Sequence, residues 1–261
     1  MCLLVFSYRL DTRFPLVVAA NRDEFHARPT APASFWLDAP QLLAGKDLQM
    51  GGTWMGMTRQ GRFAAITNTR DPDQSQPAPR SRGELPLDYL IGSQTPSAFL
   101  NSLRARADQY AGFNLLVGNI DELWYFTNSN PVHKDLPRCL PPGLYGLSNA
   151  SLDTPWPKVL IGKKRLTAIM ESGEMSHETL AEVVADRHLA EPSDLKSLGL
   201  TGKMEHTLSS QFIVTPPYGT RSTTTMWMTA SGEAHWRENS YNSEGQETGQ
   251  RPHQFDVDAN G

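Results

Sequence analysis

Cys2 directly follows the start methionine, and its type and place could do chemistry without help from any other catalytic residue. Removal of Met1 is expected before so small a residue, and one residue would then carry both a thiol and a free α-amine. A free α-amine has a pKa near ~7.7–8.0 and serves as a general base at neutral pH. The thiol beside it, with an unperturbed pKa of ~8.5, is a strong nucleophile. The competing reading is a small buried Cys that merely starts a strand. A polar cluster, Asn21-Arg22-Asp23-Glu24-Phe25, follows the next apolar run. An Arg beside a thiol lowers its pKa, and a carboxylate can hold an ammonium or orient an amine. Read without chemistry, the cluster is a solvated turn with an internal Arg–Asp pair. Asn68 ends a strand-like run, where a side-chain amide could serve as an oxyanion donor or simply begin a turn, and Asn149 ends another such run.

These residues need elements to position them. Residues 1–8 and 15–20 read as two apolar strands joined by a turn at 10–14, a hairpin that would return the polar cluster to Cys2. Residues 26–50, rich in Pro and Ala, read as an irregular connection. Residues 51–57 form a Gly-punctuated strand, where backbones or a ligand approach closely. Its Gly51-Gly52 pair is no phosphate loop, because the Lys-Ser/Thr ending and following helix are missing. Residues 62–68 read as a strand and 70–83 as a mobile surface loop. Helical patterns cover 83–90 and 98–107, the second capped by Thr95-Pro96-Ser97. Strands at 112–118 and 122–127 make a hairpin, and 143–149 is a further strand. Asp153 or Thr154 would cap a helix starting near Pro155 and Pro157, with Trp156, Val159, Leu160, Leu166, Ile169 and Met170 as its apolar stripe. Ser176 would cap a helix over 177–188. Strands are expected at 206–214, 220–228, 233–241 and 254–257, with 242–250 as a turn. Strands at both ends and helices in the middle predict an α+β fold of two stacked antiparallel sheets with helices outside, over a single domain, 1–261.

The chain has 261 residues, of which 39% are hydrophobic and 20% charged, enough for a sizeable core. A net charge of −4 and a pI near 6.0 give no electrostatic case for nucleic acid or anionic membrane. No apolar run approaches the roughly 20 residues that span a bilayer, and no signal peptide is visible, so a cytoplasmic location is expected. Two cysteines are too few for a secreted disulfide framework, and Cys139 reads as a buried thiol. The seven histidines show no metal-ligand spacing, so no metal is expected.

Cys2, Asn21-Arg22-Asp23-Glu24, Gly51-Gly52-Thr53-Trp54, Gly112-Phe113-Asn114-Leu115-Leu116, Leu147-Ser148-Asn149, Leu152-Asp153-Thr154-Pro155-Trp156-Pro157-Lys158 and Tyr218-Gly219-Thr220-Arg221-Ser222-Thr223-Thr224 together resemble the NRDE family, also called the transport and Golgi organisation protein two family. The resemblance implies a four-layer αββα sandwich of N-terminal-nucleophile hydrolase type. It implies Cys2 as nucleophile, Arg22 and Asp23 flanking it, Asn68 as oxyanion donor, Asn149 as a second amide and Arg221 as a late arginine of the site. Distant cysteine amidases space their Arg and Asp further apart, which leaves Glu24 as a substitute for Asp23. Asn21, Glu24 and Trp54 stand as ligand contacts.

Two functions follow from the resemblance. One is hydrolysis of an amide or thioester through a Cys2 thioester, with no cofactor required. The other is non-catalytic binding and trafficking of haem, or of an acyl-CoA or lipid ligand, in the same cleft. Trp36, Trp54, Trp124, Trp156, Trp227 and Trp236 offer apolar walls for such a ligand, although burial in the core suits most of them.

Overall fold

The computed structural model describes residues 2–69, 78–129, 136–198 and 200–258. The first strands in the chain are β1 (Cys2–Tyr8), β2 (Leu16–Phe25), β3 (Thr30–Phe35), β4 (Leu42–Asp47), β5 (Met55–Thr58) and β6 (Phe63–Asn68). Helices α1 (Glu84–Ile91) and α2 (Pro96–Arg104) follow. The chain returns to β7 (Phe113–Gly118), β8 (Leu123–Thr127), β9 (Arg138–Cys139) and β10 (Gly143–Leu147). Four helices come next: α3 (Pro157–Ser172), α4 (His177–Glu182), α5 (Pro192–Ser197) and α6 (Lys203–Thr207). The described chain ends on β11 (Tyr218–Met228), β12 (Glu233–Tyr241) and β13 (Glu247–Asp256).

The strands build a six-stranded sheet, β10-β1-β2-β11-β12-β13, and a seven-stranded sheet, β3-β4-β5-β6-β7-β8-β9. Their pairings are antiparallel. Because side chains alternate along a strand, β1 serves two cores at once. Cys2, Leu4, Phe6 and Tyr8 pack between the sheets with Leu43, Met57, Phe63 and Leu116. Leu3 and Val5 face outward with Val159 and Leu166 of α3 and Leu180 of α4. On the far side, Ile66, Leu115 and Val117 pack against Leu85 and Tyr89 of α1 and Leu100 of α2. The molecule is thus an α+β sandwich, layered αββα. A strand buried on both faces needs no polar positions, which explains the unbroken apolar run after Cys2. Each such side chain contributes roughly 1.5–3 kcal/mol when fully buried. Helix α3 lies close on β1 because Gly162 bears no side chain: a Cβ there would sit 2.6 Å from Val5 Cγ2.

Several expectations are corrected. The cluster 21–25 continues β2 instead of forming a turn after it. The stretch 26–50 contains β3 and β4. Pro32 obscured β3, yet β3 is an edge strand whose register shifts between Ala31 and Ser34, a bulge where Pro is tolerated. The strand expected at 254–257 begins at Glu247, again on an edge, where polar residues and Pro252 survive because one side faces solvent. No strand spans 206–214: α6 ends at Thr207, and the backbone N–H groups of Gln211 and Phe212 donate to the Asp186 carbonyl. The apolar residues of this stretch that suggested a strand are instead buried in an irregular segment, with Phe212 and Ile213 nearly inaccessible.

Trp156, with no side-chain cap, precedes α3; Asp153 instead accepts from Gly146 N–H and Lys163 Nζ. Leu160 is exposed and leaves the stripe. Helix α4 stops at Glu182, although Ser176 does cap it in a capping box. Thr95 caps α2 as expected. The loop expected at 70–83 lies outside the described residues over 70–77. Cys2 and Cys139 are both free thiols; Cys139 is exposed on edge strand β9, not buried as expected. No helix among the described residues is long and apolar enough to cross a membrane.

Candidate active site

Strand register brings the first chemistry together. In the β1–β2 pair Cys2 lies opposite Arg22 and Leu3 opposite Asn21. Directly paired side chains share a face, so the Cys2 thiol and the Arg22 guanidinium project to the same side, and Asn21 and Asp23 to the other. On that other side Asn21 is saturated by structure. Its Nδ2 donates to the carbonyls of Val184 and Gln211 at 2.8 and 2.9 Å, and its Oδ1 accepts from Thr223 at 2.7 Å. Asn21 therefore ties β2 to the helical layer and does not line the cleft, contrary to its expected place as a ligand contact.

The cleft has a volume of about 1640 Å³, and Cys2, Arg22, Asp23, Glu24, Trp54 and Asn68 all line it. Cys2 is 8% exposed, and burial pushes its thiol up from the ordinary value. Asp23 is buried as well, with its side chain on the opposite face of β2; burial raises its carboxyl, against the pull of cations and of Thr220, whose hydroxyl donates to Asp23 Oδ1 at 2.7 Å. Glu24 sits 3.9 Å from Arg22 and 3.8 Å from Arg28, a bridge between two guanidiniums at the cleft wall. Trp54 is half-buried and packs against both cores.

Asn68 ends β6, and Asn149 fixes its orientation. Asn149 Nδ2 donates to the Asn68 backbone carbonyl at 2.8 Å and to Asn68 Oδ1 at 3.0 Å. The backbone carbonyl can only accept, so the Asn149 amide must present its N–H groups there. Asn68 Oδ1 is consequently the acceptor, and its own Nδ2 is left for the cleft. The Ser148 hydroxyl lies 3.0 Å from Asn149 Oδ1 and 3.0 Å from the Cys2 carbonyl. One polar chain thus runs from the backbone of Cys2 to the amide of Asn68. Asn149 is itself buried behind Asn68, a positioning residue instead of a second amide facing a ligand.

Arg221 is also displaced from its expected role. A register shift between Thr220 and Ser222 bulges it out of the β2–β11 ladder. Its Nη1 donates to the carbonyls of Phe25, His26 and Arg28 at 3.0, 3.2 and 3.1 Å. Arg221 clamps the β2–β3 turn that carries Arg28 and does not line the cleft.

Three residues belong to this environment without having been singled out. Lys158 is 2% exposed at the start of α3; its Nζ donates to the Leu208 carbonyl at 3.1 Å. Burial lowers its pKa, while the charges of Asp23 and Cys2 pull it back up. The signal was readable: Lys158, Gly162 and Leu166 recur at helical spacing on the buried face. Glu238 is 4% exposed in β12, its Oε1 accepting the Ala33 N–H at 2.8 Å. It falls in the period-two series Ala234, Trp236, Glu238 of the inward face, so alternation alone placed a carboxyl inside. Arg82 also lines the cleft, and nothing local in its sequence distinguishes it from a surface arginine. Among the described residues no cluster of three or more His, Cys, Asp or Glu could hold a metal ion.

The sequence profile of the family described as Transport and Golgi organisation 2 matches residues 1–243. The Transport and Golgi organization protein 2 homolog of Bos taurus is 32% identical over 262 residues, covering 92% of this chain and 93% of the relative. The Homo sapiens homolog is likewise 32% identical, with the same coverage of 92% and 93%. Among solved structures, the penicillin V acylase from Agrobacterium tumefaciens aligns at a TM-score of 0.45 and 11% identity, covering 98% of this chain and 86% of that one.

Proposed function

Since the chain belongs to the Transport and Golgi organisation 2 family, whose profile covers it from residue 1 to residue 243, we propose that its Cys2-centred cleft hydrolyses an amide or thioester by nucleophilic attack. Removal of Met1 leaves the α-amine on Cys2. The buried thiol holds its proton at rest, so attack requires a base at hand, and that amine supplies one. The amine takes the thiol proton and sulfur adds to the carbonyl carbon. Asn68 Nδ2 donates to the resulting oxyanion. Collapse breaks the bond to the amine or thiol leaving group, which receives the proton from the Cys2 ammonium. Water, deprotonated by the same amine, then cleaves the thioester on Cys2 and releases the acid. Arg22 and Asp23 hold the charges around this residue.

The observation that supports this reading is the Ser148 hydroxyl, whose one proton is shared between the Cys2 carbonyl and Asn149 Oδ1, together with the Asn149 amide bonded to Asn68, a connection that ties a candidate oxyanion donor to the backbone of the candidate nucleophile. Intact mass spectrometry of the native protein, mixed with a panel of acyl amides and acyl thioesters, tests it. The expected result is a protein lacking Met1 that gains the acyl mass on Cys2 and loses the adduct in Cys2→Ala. Hydrolysis that survives Cys2→Ala refutes the mechanism.

A carrier without catalysis is the second reading, favoured by a cleft of about 1640 Å³, larger than the roughly 300–1,000 Å³ of ordinary small-molecule sites. An acyl-CoA or lipid ligand fits its mixed walls. Haem also finds ligand types in the wall, Cys2, Met50 and Tyr218, although no histidine is among the described residues lining the cleft. Titration with haem, read by its Soret band beside an acyl-CoA titration, separates the two ligands.

A further inference from the structure

Arg82 enters the cleft on a backbone that is held in close contact. Thr53 N–H donates to the Gly83 carbonyl at 3.0 Å, and a Cβ on Gly52 would fall 2.4 Å from that carbonyl group. The absence of a side chain at Gly52 is what lets the two segments meet. At the other end, Arg82 Nη1 donates to the Gly112 carbonyl at 3.0 Å. Arg82 is therefore tied by its neighbouring backbone at one end and by its guanidinium at the other, and is half-buried.

Its neighbours are neutralised within the described residues, and there it stands apart from them. Arg28 lies 2.6 Å from Asp47, Arg80 2.6 Å from Glu84, Lys46 3.1 Å from Asp38 and Arg22 3.9 Å from Glu24. Among the described residues, Arg82 forms no ion pair. Arginine does not lose its proton in a protein, so a half-buried guanidinium without a counter-ion is unfavourable until an anion arrives. The charges that act on it are those of Cys2 and Glu24, which favour its cationic form, and of Arg28, which opposes it. Apolar surface from Trp54, Ile66 and Leu208 lines the same cleft.

We propose that Arg82 is an anion-recognition residue, and that the ligand of this cleft joins an apolar group to a carboxylate or phosphate received by the Arg82 fork. The fork geometry suits either group, since both offer two oxygens to parallel N–H donors. This proposal rests on the reading of the Cys2 cleft as the ligand site, but not on catalysis there.

Calorimetry on the full chain carrying Cys2→Ala tests it, with decanoate, decyl phosphate and decanamide as probes. A failure of the hydrolase mechanism appears in the acyl-adduct measurement and leaves this one unaffected. At least one of the two anions is expected to bind about tenfold or more tightly than decanamide. Whichever anion binds tighter identifies the head group as carboxylate or phosphate. Adding Arg82→Gln should weaken the anions by about tenfold or more and leave decanamide unchanged, with Arg82→Lys recovering part of the loss. Equal affinity for decanoate, decyl phosphate and decanamide overturns the proposal, as does binding of none of them. A uniform loss for all three probes in Arg82→Gln overturns it too. So does an unchanged anion affinity with slower alkylation of Cys2 by iodoacetamide in the Arg82→Gln single variant, since Arg82 would then serve the thiol. If Arg82→Gln fails to fold, Arg82→Lys decides the matter: a loss of anion affinity with decanamide unchanged supports the Arg82 fork, and an unchanged anion affinity overturns it.

Discussion

Replacing Asn149 by alanine separates the positioning of Asn68 from its chemistry. Asn149→Ala deletes the donors to the Asn68 carbonyl and Oδ1, at 2.8 and 3.0 Å, and the acceptor of the Ser148 hydroxyl at 3.0 Å. At about 1 kcal/mol net for each hydrogen bond to Asn68, the loss of stability is about 2–3 kcal/mol, since Asn149 is buried. The Asn68 amide is then free to rotate, and acylation of Cys2 should slow by roughly tenfold to a hundredfold. Asn68→Ala reverses the proportions. Asn68 is only half-buried, so unfolding should change by less than about 1 kcal/mol. Loss of the donor itself should slow acylation by roughly 100- to 1,000-fold. Urea unfolding and the rate of acyl-adduct formation, measured on both variants, provide the comparison. If Asn149→Ala loses stability but acylates at the wild-type rate, Asn149 does not position an oxyanion donor. If Asn68→Ala acylates normally, Asn68 is not that donor.

Gly52→Ala forces a Cβ to within 2.4 Å of the Gly83 backbone and should destabilise the fold by roughly 1–3 kcal/mol; an unchanged thermal midpoint contradicts that contact. Burial raises the Glu238 carboxyl above its ordinary 4.5, against the pull of the Ala33 N–H and Arg22. Its contribution is therefore complete below that value and is lost as pH rises through the folded-state pKa, because the unfolded chain ionises first. Glu238→Gln should gain stability relative to wild type across that rise, and a pH-independent difference in urea midpoints excludes it. Lys158→Met removes a cation that favours the Cys2 thiolate. Iodoacetamide should then need a higher pH to reach the same rate at Cys2, and an unmoved profile means that Lys158 does not act on the thiol.

Local patterns determined much of this molecule. The doubly buried run of β1, the Thr95 cap of α2 and the hairpin of β7 and β8 are written in residues that interact within a few positions of one another. The edge strands β3 and β13 escaped that reading, because a strand paired on one side tolerates Pro32 and Pro252 and need not alternate. In the candidate site, the sequence nominated Cys2, Arg22, Asp23, Glu24, Trp54 and Asn68, and all of them line one cleft.

Tertiary structure decided how the remaining polar residues are used. Asn21 and Arg22 are adjacent in the chain, but β2 continues through both and sends them to opposite faces, a consequence of the two-residue period of a strand. Asn149 and Arg221 became supports, one behind Asn68 and the other clamping a turn, through partners 81 and 193–196 positions away. Arg82 drew its meaning from Gly52, Gly112 and the carboxylates that neutralise the other cations of the cleft. A sequence shows which groups are present; whether a charge is paired or an amide already saturated depends on distances between segments that only folding brings together.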